Sequence, residues 1–248
     1  NGQWAIEPVF EAALDFNEYL APVKKEGKWC FINQRGLVLI QPAWEMAFPF
    51  TEGLAAVRKD DKWGFIDSRG NLIIPIQFEE VTPFRSGYAK IKQAGKWGFI
   101  DRAGKIAVSP QFDILSYFYE GLASGLKEAQ FSFINRTGTQ FIPYKYDWTV
   151  FFSEGLAPVK KDFLVGFIDN SGEFIISPQF EDACPFYQGL AAVKQAGKWG
   201  FINNSGIIVI APQYDSADYF FQEGLALVKK NNKWIYIDRM GNLIWQEQ

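Results

Sequence analysis

Two ladders of acidic and amide side chains are the residues in this 248-residue chain whose type and spacing could do chemistry. Carboxylates brought together at one place could hold a metal or a sugar, and a pair of them could hydrolyse a glycosidic bond. The first ladder consists of Asn33, Asp67, Asp101, Asn135, Asp169, Asn203 and Asp238. The second ladder consists of Glu11, Glu45, Glu79, Asp113, Asp147, Glu181 and Asp215.

The composition excludes several other kinds of site. The chain has no histidine, so it can build neither a Ser-His or Cys-His nucleophile nor an imidazole metal ligand. Its two cysteines cannot form a four-cysteine zinc site, and Cys30 and Cys184 are expected to be free thiols. A net charge of −3 argues against nucleic acid, and apolar runs of strand length argue against a membrane span. We therefore expect no metal and no cofactor.

Both ladders are better suited to structure than to catalysis. In the first ladder Asn replaces Asp freely, which is typical of a side-chain oxygen that accepts backbone N–H groups at a turn. The second ladder is always charged, and it could cap a turn or pair with a neighbouring stripe of lysine and arginine. A catalytic pair needs two unlike environments, whereas a regular ladder supplies seven similar ones. We expect no enzyme, and a carboxylate-dependent glycoside hydrolase is only a remote alternative.

Aromatic side chains that break the pattern are the remaining candidates for binding. Aromatic residues make up 17% of the chain, and most of them recur at fixed positions, which indicates core packing. A few stand in connections where other units carry different residues, and such unit-specific loops are where repeat proteins usually bind. The candidate ligand-binding residues are Tyr117, Tyr119, Trp148, Phe151, Tyr187, Tyr219 and Phe221.

The elements that must position these residues come from an internal repeat with a step of 34 residues, 35 at the last copy. Glycine and proline interrupt each unit too often for helices, which rules out a helical repeat of the tetratricopeptide type. Each unit instead predicts an antiparallel meander of three or four strands. In its middle strand Trp63 and Phe65 share one face, while Gly64 and Ile66 share the other. A glycine inside a strand predicts close approach by another backbone.

The predicted fold is therefore all-β, one array over residues 1–248 in which short meanders gain stability by stacking. The strand after the hairpin glycine occurs at both ends of the chain, and 34 residues are few for a four-stranded propeller blade. We favour an open β-solenoid-like superhelix, with a closed seven-bladed β-propeller as the alternative. A partial unit, 1–16, precedes seven repeats at about 17–50, 51–84, 85–118, 119–152, 153–186, 187–220 and 221–248.

The repeat resembles a known family. The segments Lys62–Asp67, Lys96–Asp101 and Lys198–Asn203, each reading Lys-Trp-Gly-Phe-Ile-Asp/Asn, are similar to the WG (KWG) repeats of bacterial proteins. Other copies depart from the Trp-Gly pair, as at Val165-Gly166 and Trp234-Ile235. The resemblance implies a bacterial, non-enzymatic repeat module and carries no known ligand.

Two functions follow from this interpretation. The one we favour is a non-catalytic scaffold that binds a protein partner through its stacked surface and its unit-specific aromatic loops. The alternative is a module that binds carbohydrate or the cell envelope through the same loops, with a glycan as partner. The sequence leaves the compartment open between export to the periplasm or beyond and the cytoplasm.

Overall fold

Strands and turns form the whole of the described structure. The computed structural model describes residues 4–217 and 224–247, with the backbone alone at Tyr144, and those residues contain no helix. It follows that no helix in this part of the chain could cross a membrane. Within residues 4–217 and 224–247, seven four-stranded antiparallel sheets follow one another, which confirms the predicted all-β repeat fold.

The strand bounds repeat from sheet to sheet. The first sheet contains β1 (Ala12–Ala13), β2 (Leu20–Lys25), β3 (Lys28–Asn33) and β4 (Val38–Trp44). The second contains β5 (Met46–Ala47), β6 (Leu54–Lys59), β7 (Lys62–Asp67) and β8 (Leu72–Phe78). The third contains β9 (Glu80–Val81), β10 (Tyr88–Gln93), β11 (Lys96–Asp101) and β12 (Ile106–Phe112). The fourth contains β13 (Ile114–Leu115), β14 (Ala123–Lys127), β15 (Gln130–Ile134) and β16 (Gln140–Tyr146).

The remaining sheets keep the same order. The fifth contains β17 (Trp148–Thr149), β18 (Leu156–Lys161), β19 (Leu164–Asp169) and β20 (Phe174–Phe180). The sixth contains β21 (Asp182–Ala183), β22 (Leu190–Gln195), β23 (Lys198–Asn203) and β24 (Ile208–Tyr214). The seventh contains β25 (Ser216–Ala217), β26 (Leu225–Lys230), β27 (Lys233–Asp238) and β28 (Leu243–Gln246). The chain divides into two compact units, residues 1–117 and 118–248.

The glycine of the Trp-Gly pair sits where two strands come closest. A Cβ added to Gly64 would lie 2.6 Å from the carbonyl oxygen of Ile74, and one added to Gly166 would lie 2.6 Å from that of Ile176. The contacting carbonyl belongs to the fourth strand, whose pairing with the third strand shifts register at this point. Gly64 and Gly166 leave room for this close contact, and the predicted close approach of another backbone is confirmed. Cys30 and Ser132 hold the equivalent position in the first and fourth sheets, where the third and fourth strands pair with the same shift of register.

Stacking of neighbouring sheets within each unit builds the core. On the face of the second sheet that meets the third, Phe65 and Ile74 pack against Ala89, Ile91 and Ile100. A side chain larger than that of Ala89 would hold these two sheets apart, and the equivalent alanine is buried in each described sheet. The series consists of Ala21, Ala55, Ala89, Ala123, Ala157, Ala191 and Ala226.

The segment before the first sheet contributes to the same stacking. A Cβ on Gly36 would lie 3.0 Å from Ile6 Cγ2, as one on Gly70 would lie 3.2 Å from Ile40 Cγ2. Ile6 therefore occupies, on the first sheet, the place that Ile40 occupies on the second. This agrees with the alignment of the opening residues to the latter part of a repeat.

Candidate functional site

The Asp/Asn ladder is committed to turns. At each hairpin between the third and fourth strands, the first side-chain oxygen accepts the N–H groups two and four residues later. In the second sheet Asp67 Oδ1 accepts from Arg69 at 2.9 Å and from Asn71 at 2.8 Å, and Gly70 follows with φ of 86°. The side-chain amide of Asn71 also donates to Asp67 and holds its pKa below the ordinary value. The ladder thus stabilises the loops, as predicted.

The second acidic ladder caps the other hairpin. Glu79 accepts the backbone N–H groups of Ala94 at 3.0 Å and Gly95 at 2.9 Å, and these bonds lower the pKa of its carboxyl. Glu45 and Glu181 accept from the equivalent turns. Asp113 instead forms an ion pair with Lys96. Since these carboxylates stand beside separate hairpins, one in each sheet, the ladder does not converge on one reacting centre. No group of three acidic or cysteine side chains suited to a metal occurs among residues 4–217 and 224–247.

A third set of glutamates ties neighbouring repeats together. Glu52 Oε2 accepts the N–H of Gly87 at 2.9 Å, 35 residues further on, and Glu154 Oε2 accepts that of Gly189 at 2.8 Å. Both glycines have positive φ, which turns the N–H toward the preceding repeat. The Glu-Gly motif is therefore a staple between repeats, a role the sequence pattern alone does not reveal.

Three of the seven predicted aromatic residues meet at one place in the second unit. Tyr119, Phe151 and Tyr187 line a cavity of about 360 Å³ together with Glu120, Phe152 and Ser153, and we call it the tyrosine cleft. The rings of Tyr119 and Phe151 are stacked, with centroids 4.2 Å apart and planes at 20°. Tyr187 is 37% exposed.

Short backbone bridges position these rings. Tyr119 pairs with Leu122, Ser153 with Leu156 and Tyr187 with Leu190, each closing the tight loop that enters a second strand. The leucines are buried and anchor the loops, while Tyr119 and Phe151 are half-buried and Tyr187 is exposed. Successive loops lie side by side, which is why residues 34 apart in sequence become neighbours.

Two polar side chains of the tyrosine cleft are bound to backbone groups of the protein. Ser153 Oγ donates to the carbonyl oxygen of Phe186 at 2.6 Å, and Glu120 Oε2 accepts the N–H of Gly155 at 3.0 Å. The rest of the lining is aromatic: Tyr119, Phe151, Phe152 and Tyr187.

Trp148 lies at a second cavity in the same unit. This cavity, of about 560 Å³, is lined by Trp148 and Trp199 with Val150, Lys160, Val165 and Asp182, and we call it the indole cleft. In the fifth sheet Trp148, Lys160 and Val165 form one cross-strand row. Lys160, Val165 and Asp182 were not predicted from the sequence. Val165, for example, replaces the tryptophan of other repeats and looks like ordinary variation between them.

Tyr117 lies in the first unit and is held by cations. Lys90 Nζ is 4.6 Å from the centre of its ring, and the Arg85 guanidinium carbon is 5.4 Å from it. Lys90 Nζ also donates to the carbonyl oxygen of Leu115 at 3.1 Å, and burial lowers its pKa. The ring of Tyr117 thus shields two positive charges. Tyr219 and Phe221, also predicted to bind, lie outside the described residues.

Comparisons with known proteins agree with this architecture. The family model described as "WG containing repeat" matches seven stretches of the chain: 1–29, 31–63, 63–97, 97–124, 131–162, 166–199 and 199–234. None of the curated proteins matches the chain significantly.

Solved structures show likeness of fold at low identity. A structure described as a eukaryotic initiation factor is similar with a TM-score of 0.57 and 13% identity, over 97% of this chain and 78% of that one. Hsv2p of Kluyveromyces lactis is similar with a TM-score of 0.46 and 9% identity, over 96% and 99%. The extracellular domain of the one-component system BT4673 of B. thetaiotaomicron has a TM-score of 0.45 and 10% identity, over 97% of this chain and 42% of that one. At 13% identity, the likeness to the initiation factor concerns the fold alone.

Proposed function

The chain belongs to the WG containing repeat family, and on that premise we propose that it is a non-catalytic scaffold that binds a protein partner through the tyrosine cleft. The observation that supports the proposal most is the convergence of Tyr119, Phe151 and Tyr187 on one cavity of about 360 Å³. Regular repeats place equivalent residues on equivalent loops. Aromatic residues that replace the usual ones on neighbouring loops, and that meet at one place, therefore favour a binding surface there.

The chemistry of the cleft favours a protein side chain over a sugar. Aromatic residues dominate the energetic centres of protein interfaces, and tyrosine in particular offers a large contact area with few rotatable bonds. Ser153 and Glu120 are bound to backbone groups of the protein, so we expect a ligand to be recognised mainly through the aromatic rings. The expected partner inserts an apolar side chain between the rings of Tyr187 and the stacked pair.

The non-catalytic part of the proposal is supported by the two acidic ladders. Within the described residues, every carboxylate of the two ladders except Asp147 accepts backbone N–H groups or pairs with a lysine. The described ladder positions thus resemble each other, and acid–base catalysis needs two unlike groups at one centre.

Site-specific photocrosslinking tests the proposal in the cells that produce the protein. A benzophenone amino acid at Tyr187 should form an adduct with one protein. The matched control is the same amino acid at Phe163, which is 88% exposed in the same unit but lies on a hairpin turn. The captured protein, once purified, should bind Tyr119→Ala and Phe151→Ala at least about tenfold more weakly than the unchanged chain. Equal adducts at both positions, or unchanged affinity of the two variants, would refute the proposal.

A further inference from the structure

We propose that the indole cleft binds a sugar that carries a carboxylate, such as a uronic-acid residue. The inference concerns a different cavity from the tyrosine cleft and does not rest on the proposed protein partner. It starts from the way the fifth sheet departs from the third and second sheets at equivalent positions.

The cross-strand row of the third sheet shows how a lysine at this position can be paired within its own sheet. Glu80, Lys92 and Trp97 stand side by side on β9, β10 and β11. Lys92 Nζ lies 2.6 Å from Glu80 Oε1 and 5.4 Å from the centre of the Trp97 ring. The lysine therefore has both a carboxylate and an aromatic face as partners within its own sheet.

In the fifth sheet both partners of this lysine are replaced. Trp148 takes the place of Glu80 and Val165 takes the place of Trp97, so the aromatic ring has moved from the third strand to the first. Within the described residues Lys160 Nζ forms no hydrogen bond and no ion pair, although the side chain lines the cavity and the residue is half-buried. A partly desolvated cation without a carboxylate is unfavourable, and a bound anion would relieve it.

The second sheet explains why the cavity exists. There Phe48 and Trp63 stack with centroids 5.0 Å apart and planes at 8°, and they fill the equivalent space. In the fifth sheet Val150 and Val165 stand at these two positions, and both line the cavity. Two large side chains have thus been replaced by small ones beside the unpaired lysine. The resulting volume of about 560 Å³ lies in the range usual for small-ligand sites, about 300–1,000 Å³.

The other lining groups select the chemical class. Trp148 and Trp199 offer indole faces, whose negative π-surface attracts the apolar C–H groups of a pyranose ring. Asp182 Oδ1 accepts the N–H of Ala183 at 2.9 Å, and its carboxylate lines the cavity as an acceptor for hydroxyl groups. Lys160 and Asp182 are more than 4.0 Å apart, since they form no ion pair. A sugar acid satisfies both side chains, because its hydroxyl groups donate to Asp182 and its carboxylate pairs with Lys160. A ligand with several phosphate groups would be repelled by Asp182.

Calorimetric titration with sodium D-glucuronate and with D-glucose tests the inference. Glucuronate should bind with a Kd of about 1 mM, which is typical of a ligand with one sugar ring. Glucose lacks the carboxylate and should bind at least about tenfold more weakly, and binding of glucuronate should weaken as salt rises from about 0.05 to 0.5 M.

Variants locate the site. Lys160→Met should lower the affinity for glucuronate to that for glucose. Lys92→Met, its matched control in the third sheet, should leave the affinity for glucuronate unchanged. The double variant Trp148→Glu/Val165→Trp gives the fifth sheet the row of the third sheet and should abolish binding of both sugars. Absence of glucuronate binding at 20 times the expected Kd (about 20 mM) would overturn the inference. Equal affinity for the two sugars, or an unchanged affinity in Lys160→Met, would overturn it as well.

Discussion

The second and fifth sheets have the same strand lengths, turns and bulges but differ in the side chains that fill the space beside them. In the second sheet Phe48 stacks on Trp63, which is 8% exposed. In the fifth sheet Val150 and Val165 leave a cavity at the same place. The difference teaches that the backbone of the repeat does not depend on the tryptophan of its signature. Both sheets keep glycine at the next position, beside the bulge.

The largest expected effect falls equally on both sheets. Gly64→Ala and Gly166→Ala each drive a methyl group to 2.6 Å from a backbone carbonyl oxygen. Because the backbone of the fourth strand would have to shift, we expect each change to lower the free energy of unfolding by about 3 kcal/mol. Urea denaturation of the two variants measures it. A loss below about 1 kcal/mol in either would show that the bulge tolerates a side chain there.

The next effect separates the two sheets. Trp63→Val removes a buried ring from the stack with Phe48, and we expect a loss of about 2 kcal/mol. Val165→Trp restores the family residue where a cavity can take it, so the stability should change by less than about 1 kcal/mol. Thermal and urea unfolding of both variants decide the matter. If Val165→Trp destabilises as much as Trp63→Val, the cavity is not space left by the missing rings.

A smaller effect should again be common to the two repeats. Glu52→Ala and Glu154→Ala each remove a charge-assisted hydrogen bond to a glycine N–H in the following repeat. We expect a loss of about 1 kcal/mol in each case. Glu154→Gln, which keeps an acceptor oxygen, serves as the control and should lose less. The staple account fails if alanine and glutamine variants have the same unfolding midpoint.

The smallest effect concerns pH. Hydrogen bonds from the Asn71 side chain and the Ser171 hydroxyl lower the pKa of Asp67 and Asp169, respectively, in the folded protein. The unfolded chain then binds more protons near pH of about 4, so stability is retained above that pH and declines as the pH falls through the folded values. Asp67→Asn should flatten this decline in urea midpoints measured between pH of about 5 and 2. An unaltered profile would show that Asp67 contributes nothing to acid sensitivity.

Much of the fold could be predicted from the sequence because each repeat solves the same local problem. The hairpin at Asp67 and Gly70 depends on residues within four positions of one another. Glycine at the position of Gly64, inside a strand, predicts the close contact at the bulge. The side-chain interactions of the site depend on neighbouring repeats. Glu154, for example, accepts a hydrogen bond from Gly189, which is 35 residues further along the chain.

The two clefts were only partly visible in the sequence for the same reason. Tyr119, Phe151 and Tyr187 stood out as aromatic departures, and stacking of the repeats brought them together. Val165 is small and Lys160 follows the basic stripe, so neither attracts notice alone. Their importance lies in what is missing beside them, a carboxylate at Trp148 and a ring at Val165, and this emerges only when cross-strand registers are compared.

The most direct test of the account is to give the tyrosine cleft the residues of the second repeat. Thr51 stands at the position equivalent to Tyr119 and Tyr187, and Pro49 stands at the position equivalent to Phe151. The variant is therefore Tyr119→Thr/Phe151→Pro/Tyr187→Thr. Its affinity for the protein captured at Tyr187 should be measured by calorimetry beside its unfolding midpoint. The account predicts a midpoint close to that of the unchanged chain and a loss of affinity of at least about a hundredfold. A variant that folds normally and binds its partner as tightly as before would contradict it.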